Sequence, residues 1–442
     1  MSGSPPPTFA SEVADPGQAA AGLARIGWAQ RAMPVLGLIR DSFEREQPFA
    51  GLAVAACLHV TAETAVLVNV LTSGGARLHL AASNPLSTQD DIAAALAASA
   101  GVTVHARAGV DRGTYYQHIH RVLDVAPRLV IDDGCDLVNI LHTERPELLA
   151  GVHGGCESTA SGVARLRRMA AEGTLAFPMV AANASPTRRM FDNFCGTGQS
   201  VIDGILRATN TLLAGKVVVV AGYGPCGSGI AERARGLGAQ VIVTEVDPVR
   251  ALDALMHGFG VLPMARAAAL GQVFITATGS RDVIGAGHLR VMRDGAILAN
   301  AGHFDVEVDV RALADLAIAA HPAVRPHADE YLLADRRRLI LLAEGRVVNL
   351  VAAEGNPAAV MDLSFAVQAL ALAWLAGRGG RGRPGPKEGR GGGESVLPPG
   401  VHEVPTEIDA QIATLALASL GAEIDTLTPG QEEYLESWRQ GS

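Results

Sequence analysis

Aromatic side chains are scarce in this sequence: Phe, Trp and Tyr together make up 4% of 442 residues. A core with so few large rings must pack small side chains and bring backbones close together. The apolar fraction of 48% supplies material for that. Cysteine is limited to Cys57, Cys135, Cys156, Cys195 and Cys226, an odd set without CxxC spacing. That argues against a disulfide framework or a zinc site, and points to a reduced, cytoplasmic chain with no metal. Basic charge is short as well. Lys+Arg 36 against Asp+Glu 45 leaves −9, which disfavours nucleic acid or an anionic membrane as main partner. No uninterrupted apolar run reaches membrane-spanning length, and Leu363–Gly377, which carries Ser and Gln, reads as a core helix. The first residues (MSGSPPPTFASEVADPG) lack a basic flank leading into an apolar stretch, so they do not read as a signal peptide. No repeat of fixed period is present.

What is present is an alternation of short apolar runs with helical stretches. A chain of this length suggests about three domains of roughly 150 residues. Residues 1–20 are rich in Pro, Ser and Ala and are expected to be disordered. Residues 21–198 hold strand-like runs at AVLVNVL (65–71), ARLHLAA (76–82), VTVHA (102–106) and RLVIDD (128–133), with a helix at Asp90–Ser99. That order predicts an α/β domain with a doubly wound parallel sheet. A second α/β domain is expected over 199–352, and 357–377 returns to helical spacing and completes the first domain. Residues 378–400 read as a Gly/Arg/Pro-rich linker. Residues 401–442 read as a small amphipathic tail used for oligomerisation.

The strongest local signal begins at Lys216. Four valines run into Gly222-Tyr223-Gly224-Pro225-Cys226-Gly227, a helix follows, and a second strand, VIVT, ends at Glu245. Each glycine serves a physical purpose, whether a tight turn, close approach to a pyrophosphate, or helix-to-strand packing. The helix start offers unpaired N–H groups to phosphate. Glu245 stands about 20 residues on, where a carboxylate accepts ribose hydroxyls of NAD and repels the 2′-phosphate of NADP.

Further segments exceed what a generic dinucleotide fold explains. They are CLHVTAETAVL, SNPLSTQDD, VIDDGCDLVNILHTERPELLAGVHGGCES, FDNFCGTGQSVIDGILRATN, VTEVDP, NAGHFDVEVDV and LLAEGRVVNL. In this order the chain resembles the S-adenosylhomocysteine hydrolase (adenosylhomocysteinase) family from about residue 25 to 375, resuming at GVHEVPTEID and QEEYL. The resemblance implies a substrate domain and an NAD domain around a cleft, and a homotetramer or dimer whose tails reach a neighbour's cofactor. It also implies tightly held, recycled NAD that oxidises a nucleoside 3′-hydroxyl, after which the C4′ proton is removed and the 5′ substituent leaves. Position by position, it makes His59 and Asp133 the acid/base pair, and places Asp192 and Asn193 beside the oxidised carbon. His303 then lies near nicotinamide and the leaving group. Thr61, Glu157, Ser158, Asn356 and Met361 fall on substrate. Thr159, Ser161, Gly222, Gly224, Gly227, Glu245, Arg250, Thr278, Asn300, Asn349 and Tyr434 fall on NAD.

Histidine titrates near neutrality, as proton transfer requires. Asp133 needs a raised pKa to serve as base, which desolvation in a cleft provides. Read without the resemblance, a lone His in a run such as AACLHVT is more often a satisfied core histidine than a catalytic one, and Asp132-Asp133 at a strand end can cap a turn.

The departures concentrate on the sugar. The second family glutamate, which holds ribose hydroxyls, is Ser158 here. The lysine that assists oxidation is Arg188, which cannot give up its proton. A Gly-His-Pro becomes Gly355-Asn356-Pro357, and the tail lysine becomes Gly430. The favoured reading is a diverged member that eliminates water from a modified adenine nucleoside in secondary metabolism. Genuine S-adenosylhomocysteine hydrolysis is the alternative, and a catalytically silent NAD-binding regulator the alternative of another class.

Overall fold

The computed structural model describes residues 10–378 and 397–438. Six parallel strands form the first sheet: β1 (Ala53–Leu58), β2 (Arg77–Ala82), β3 (Val102–His105), β4 (Leu129–Asp132), β5 (Gly154–Glu157) and β6 (Pro178–Ala181). They lie in the order β6-β5-β4-β1-β2-β3, and a C-terminal strand, Gly400–His402, pairs in parallel outside β6. The second sheet holds β7 (Val217–Ala221), β8 (Gln240–Thr244), β9 (Gly260–Val261), β10 (Val273–Thr276), β11 (Ala296–Asn300), β12 (Ala317–Arg325), β13 (Ala328–Leu333) and β14 (Arg338–Leu342). Its order is β12-β13-β14-β11-β10-β7-β8-β9, parallel except for the β12-β13-β14 meander. The fold is α/β, two sheets with helices on their faces. Every residue of β1 (AVAACL) is buried, as a parallel strand covered on both faces requires.

Three expectations are corrected. The run AVLVNVL is not a strand but lies inside the helix Ala62–Ser73. Thr61 starts that helix, its hydroxyl accepting from Thr64 N, and the strand is the preceding AVAACL. A short buried apolar run has the same pattern in either state, and only the cap distinguishes them.

Residues 1–9 lie outside the described residues, but 10–20 are ordered. Glu12 bridges to His105, and the helix Ala19–Arg31 begins within this stretch. Third, residues 401–442 are not one tail. Val401 and His402 belong to the first sheet, and the helix Thr406–Ser419 buries Ile408 and Ile412 in the substrate-domain core. Only the stretch beyond stays on the surface, with Leu420, Ile424, Leu435 and Trp438 exposed. Most of the expected linker, 379–396, lies outside the described residues.

Among the described residues one helix, Ala358–Arg378, is long and apolar enough to cross a membrane. Here it packs in the first domain's core, burying Phe365, Val367, Leu372 and Leu375.

Candidate active site

Strand order reverses between β1 and β4 in the first sheet and between β7 and β10 in the second. Chains diverge at such points and leave a crevice at the carboxyl ends of the strands. A cavity of about 650 Å³ lies there, lined from both domains. His59 follows β1, Asp133 follows β4 and Ser158 follows β5; Thr278 and His303 enter from the second domain. Thr61, Thr159, Ser161, Arg188, Asp192, Asn193, Gly224, Arg250, Asn349, Asn356 and Met361 also line it.

The two histidines meet across the cleft, with ring centroids 5.6 Å apart edge to face. His59 Nδ1 sits 2.7 Å from the Ser87 hydroxyl. The approach of His303 depends on Gly134, whose φ is +107°; a Cβ there would lie 2.6 Å from His303 Nε2. Burial pushes His59 down to about 3, with His303 adding to the effect, and His303 falls to about 4 for the same main reason. Both rings are therefore neutral at pH 7. Burial pushes Asp133 up to about 7, while Arg188 pulls the other way. One carboxyl poised near neutrality beside two neutral imidazoles can abstract and return protons.

Behind Asp133 lie two more carboxyls. Asp132 and Glu157 are fully buried and are register partners on β4 and β5. Burial, reinforced by neighbouring carboxylates, raises both pKa values. Glu157, expected on substrate, does not line the cavity. Its Oε1 accepts from Gly134 N at 3.0 Å, Thr159 N at 2.8 Å and Thr159 Oγ1 at 2.7 Å. It braces two loops of the site rather than reaching into it.

Arg188 and Asp192 flank the start of a π-helical turn, Arg189–Gly196, a distortion frequent at functional sites. Arg188 Nε lies 3.2 Å from Asp192 Oδ2, and both side chains are buried. Asp192 also accepts from Ser364 Oγ at 2.7 Å and from Asn356 Nδ2. Asn356 Oδ1 in turn accepts from Ser200 Oγ at 2.6 Å and Asn349 Nδ2 at 3.2 Å. The network thus ties both domains to one carboxylate. Lysine occurs only at 216 and 387, and Lys216, just before β7, lies outside the cavity, so no described lysine reaches the place of Arg188. From the C-terminal helix, Asp409 accepts from Ser185 Oγ at 2.5 Å and Thr187 Oγ1 at 2.6 Å, clamping the segment that carries Arg188. Ser364, Asp409 and Gln368 carry no local motif, and only the fold brings them to the site.

The cofactor lobe accommodates a dinucleotide. Gly222 has φ +93°, and a Cβ on Gly227 would lie 1.9 Å from Gly222 O, so the turn tolerates no side chain there. The helix Pro225–Gly236 starts beside the cavity. Glu245 Oε2 accepts from Tyr223 N at 2.7 Å and Oε1 from Val246 N at 2.6 Å. Burial raises its pKa, but the backbone N–H groups win and hold it below the ordinary value. Glu307, buried and given no role in the sequence reading, accepts from Thr278 N and Gly279 N, each at 2.9 Å, and shapes the loop after β10. Asn300 is spent internally: its Oδ1 accepts from Gly302 N at 2.7 Å, and its Nδ2 donates to Phe304 O at 2.8 Å. It fixes the loop that presents His303. Tyr434 lies half-exposed on the helix Pro429–Glu436, outside its own chain's cavity. Among the described residues no group of three or more His, Cys, Asp or Glu is arranged to hold a metal.

A sequence model described as S-adenosyl-L-homocysteine hydrolase matches residues 10–148, and one described as that enzyme's NAD binding domain matches 193–355. The chain is 52% identical to an adenosylhomocysteinase of Aquifex aeolicus, over 98% of its own length and 99% of the relative's. It belongs to the S-adenosyl-L-homocysteine hydrolase family. Within the family it is also 52% identical to an adenosylhomocysteinase of Thermococcus kodakarensis, covering 97% of this chain and 98% of the relative. It is 49% identical to an S-inosyl-L-homocysteine hydrolase of Methanopyrus kandleri, with the same coverage. Membership makes this an adenosylhomocysteinase-like enzyme with NAD as its cofactor.

Proposed function

We propose that the chain acts on the sugar of a 5′-substituted adenine-type nucleoside by oxidation, C4′ deprotonation, elimination of the 5′ substituent, addition of water to the resulting alkene where that substituent is a thiol, and reduction. One observation carries this: Asp133, poised near neutrality, shares a cavity with His59, Arg188, Asp192, His303 and the cofactor loop at Gly224. NAD, held by Gly222–Gly227 and Glu245, supplies reversible oxidation of a sugar hydroxyl. Arg188 and Asp192 orient that hydroxyl; Arg188 stays charged and acts by hydrogen bonding. Asp133, in its ionised fraction, takes the C4′ proton that a neighbouring ketone acidifies. His59, neutral and bonded to Ser87, handles the proton of the 5′ substituent together with His303.

For the leaving group, a thiol stands first. Relatives matching nearly the whole chain are named for homocysteine thioethers, one on adenosine and one on inosine. Loss of water from a modified sugar is the second reading, favoured because Ser158, Arg188 and Asn356 all line the cavity. Incubation with S-adenosylhomocysteine, S-inosylhomocysteine and nucleosides of altered sugar, read by product mass, separates the two. Released homocysteine supports the first, and a product lighter by one water supports the second. No cofactor reduction with any of them overturns the proposal and favours the regulator. As part of the same reading, the exposed end around Tyr434, Leu435 and Trp438 contacts a second copy's cofactor domain. Truncation after Ala422 should then lower the assembly size in sedimentation.

A further inference from the structure

Gln368 is the most exceptional polar side chain of the site. It is 1% exposed and lines the cavity, yet neither its Nε2 nor its Oε1 has a hydrogen-bond partner among the described residues. An amide buried with both ends unmade is costly, so such a group calls for a partner outside the protein.

The helix Ala358–Arg378 tells which part of a ligand that partner is. Met361, Phe365 and Gln368 follow at i, i+4 and i+7, form one stripe, and all face the cavity. Seven residues of helix span about 10 Å, roughly the length of a nucleoside. The stripe begins apolar, suited to a base, and ends in an amide, suited to hydroxyls. Ser364, which holds Asp192, lies one turn before Gln368 on the same side of the helix. Helical side chains lean toward the N-terminus, which points the amide toward the turn that carries Ser364. Arg188 Nη1, paired across from Asp192 through its own Nε, also lacks a partner.

We propose that Gln368 is a specificity residue that binds the sugar's 2′-hydroxyl, next to the hydroxyl held by Asp192 and Arg188, in the space that Ser158 leaves open. This rests on the nucleoside reading above and adds to it a residue that reads the sugar.

The test compares wild-type holoenzyme with Gln368→Leu and Gln368→Met, using calorimetric binding of adenosine and of 2′-deoxyadenosine. Two variants are used because leucine's branching disturbs packing where methionine's flexible chain does not. In both, adenosine binding should weaken roughly tenfold while 2′-deoxyadenosine binding stays unchanged. Melting of the nucleoside-free variants should occur at or above the wild-type temperature, because an unsatisfied buried amide has been removed. Equal losses for both nucleosides overturn the assignment, as does a lowered melting temperature with discrimination intact, which marks a structural amide. If wild type binds neither nucleoside, the nucleoside reading itself fails and the assignment with it. If it binds both and only the variants' discrimination is unaltered, the role of Gln368 alone fails.

Discussion

The cofactor lobe and the sugar lobe are wired at different ranges. Around the cofactor turn, Tyr223 donates to Glu245 across 22 residues, Thr278 to Glu307 across 29, and Asn300 bonds Gly302 across two and Gly345 across 45. Around the sugar, Asn356 reaches Asp192 across 164 residues, Ser364 across 172, and Asp409 reaches Ser185 across 224. A short-range site keeps its geometry so long as one βαβ unit folds. A long-range polar network works only when every member is satisfied, since a half-paired buried network costs more than an apolar one. The departures that the family resemblance implies at Ser158, Arg188 and Asn356 fall on the sugar side, and the one at Gly430 falls on the tail. Arg188 and Asn356 both meet Asp192, the first from four residues away and the second across 164, and Ser158 lines the same cavity. The glycine turn and Glu245 show no such change.

The largest expected effect falls on Asp133. Asp133→Asn removes the group assigned to the C4′ proton, and losing a general base costs on the order of 10²–10⁴ in turnover. Cofactor reduction on adding substrate should persist and then stall, with loss of exchange from a C4′-deuterated nucleoside. Unimpaired exchange in the variant would reassign the base. The same variant has a stability signature. Asp133's folded pKa is raised from 3.8 to about 7, so the folded state binds more protons across that window. Its stabilising contribution is complete below the unfolded value and is lost as pH rises to about 7. At about 1.4 kcal/mol per unit, the loss is on the order of 4 kcal/mol. Asparagine does not titrate, so denaturant melts should show the variant gaining on wild type from pH 4 to pH 8. A constant difference would mean that Asp133 titrates ordinarily.

Next comes the buried ion pair. Arg188→Ala leaves the Asp192 carboxylate buried without its cation, a loss of about 3–5 kcal/mol. Urea unfolding measures it, and cofactor reduction should slow in parallel. Cofactor reduction at the wild-type rate would remove Arg188 from hydroxyl orientation.

How far the sequence reveals each lobe follows the same division. The turn Gly222–Gly227 and Glu245 are readable because a local motif carries its own geometry. His59, Asp133, Arg188 and His303 are named only through the family resemblance, since an isolated His or Asp at a strand end looks the same in a core or a turn. Gln368 escapes reading because nothing within a few residues distinguishes it, and Asp409 and Glu307, though they lie in GVHEVPTEID and NAGHFDVEVDV, escape because their partners are brought to them only by the fold. Glu157 and Asn300 teach the converse. Both sit in segments that resemble the family's, and the fold spends their side chains on bracing loops. The helix over 65–71 passes for a strand because buried apolar runs in α/β domains lose their periodicity on both kinds of element.

A smaller effect restores the ordinary sugar site. Ser158→Glu combined with Arg188→Lys gives both positions the side chains that the family resemblance implies. If sugar recognition is what has changed, turnover of S-adenosylhomocysteine should rise about ten- to hundredfold, the worth of a charge-assisted hydrogen bond of ~1.5–3 kcal/mol. A double variant no better than wild type would show that Asn356 or Gln368 sets the substrate, and would move attention along the helix Ala358–Arg378.

The smallest expected effect tests whether the cofactor lobe really kept its ordinary wiring. Glu245 stays ionised because Tyr223, Val246 and Asp247 donate backbone N–H groups to it against the pull of burial. A carboxylate in that place faces the 2′-phosphate of NADP with like charge, so apo-protein should take up NAD in strong preference. Glu245→Gln keeps shape and one acceptor but removes the charge, and the preference should narrow by roughly tenfold, about 1.4 kcal/mol. Because Glu245 is only half-buried, salt screens the repulsion, and the wild-type preference should itself shrink as ionic strength rises. The glutamine variant should lose that salt dependence along with the preference. A preference that ignores both the substitution and salt would come from shape rather than charge, and the contrast between a locally wired cofactor lobe and a redrawn sugar lobe would no longer rest on Glu245.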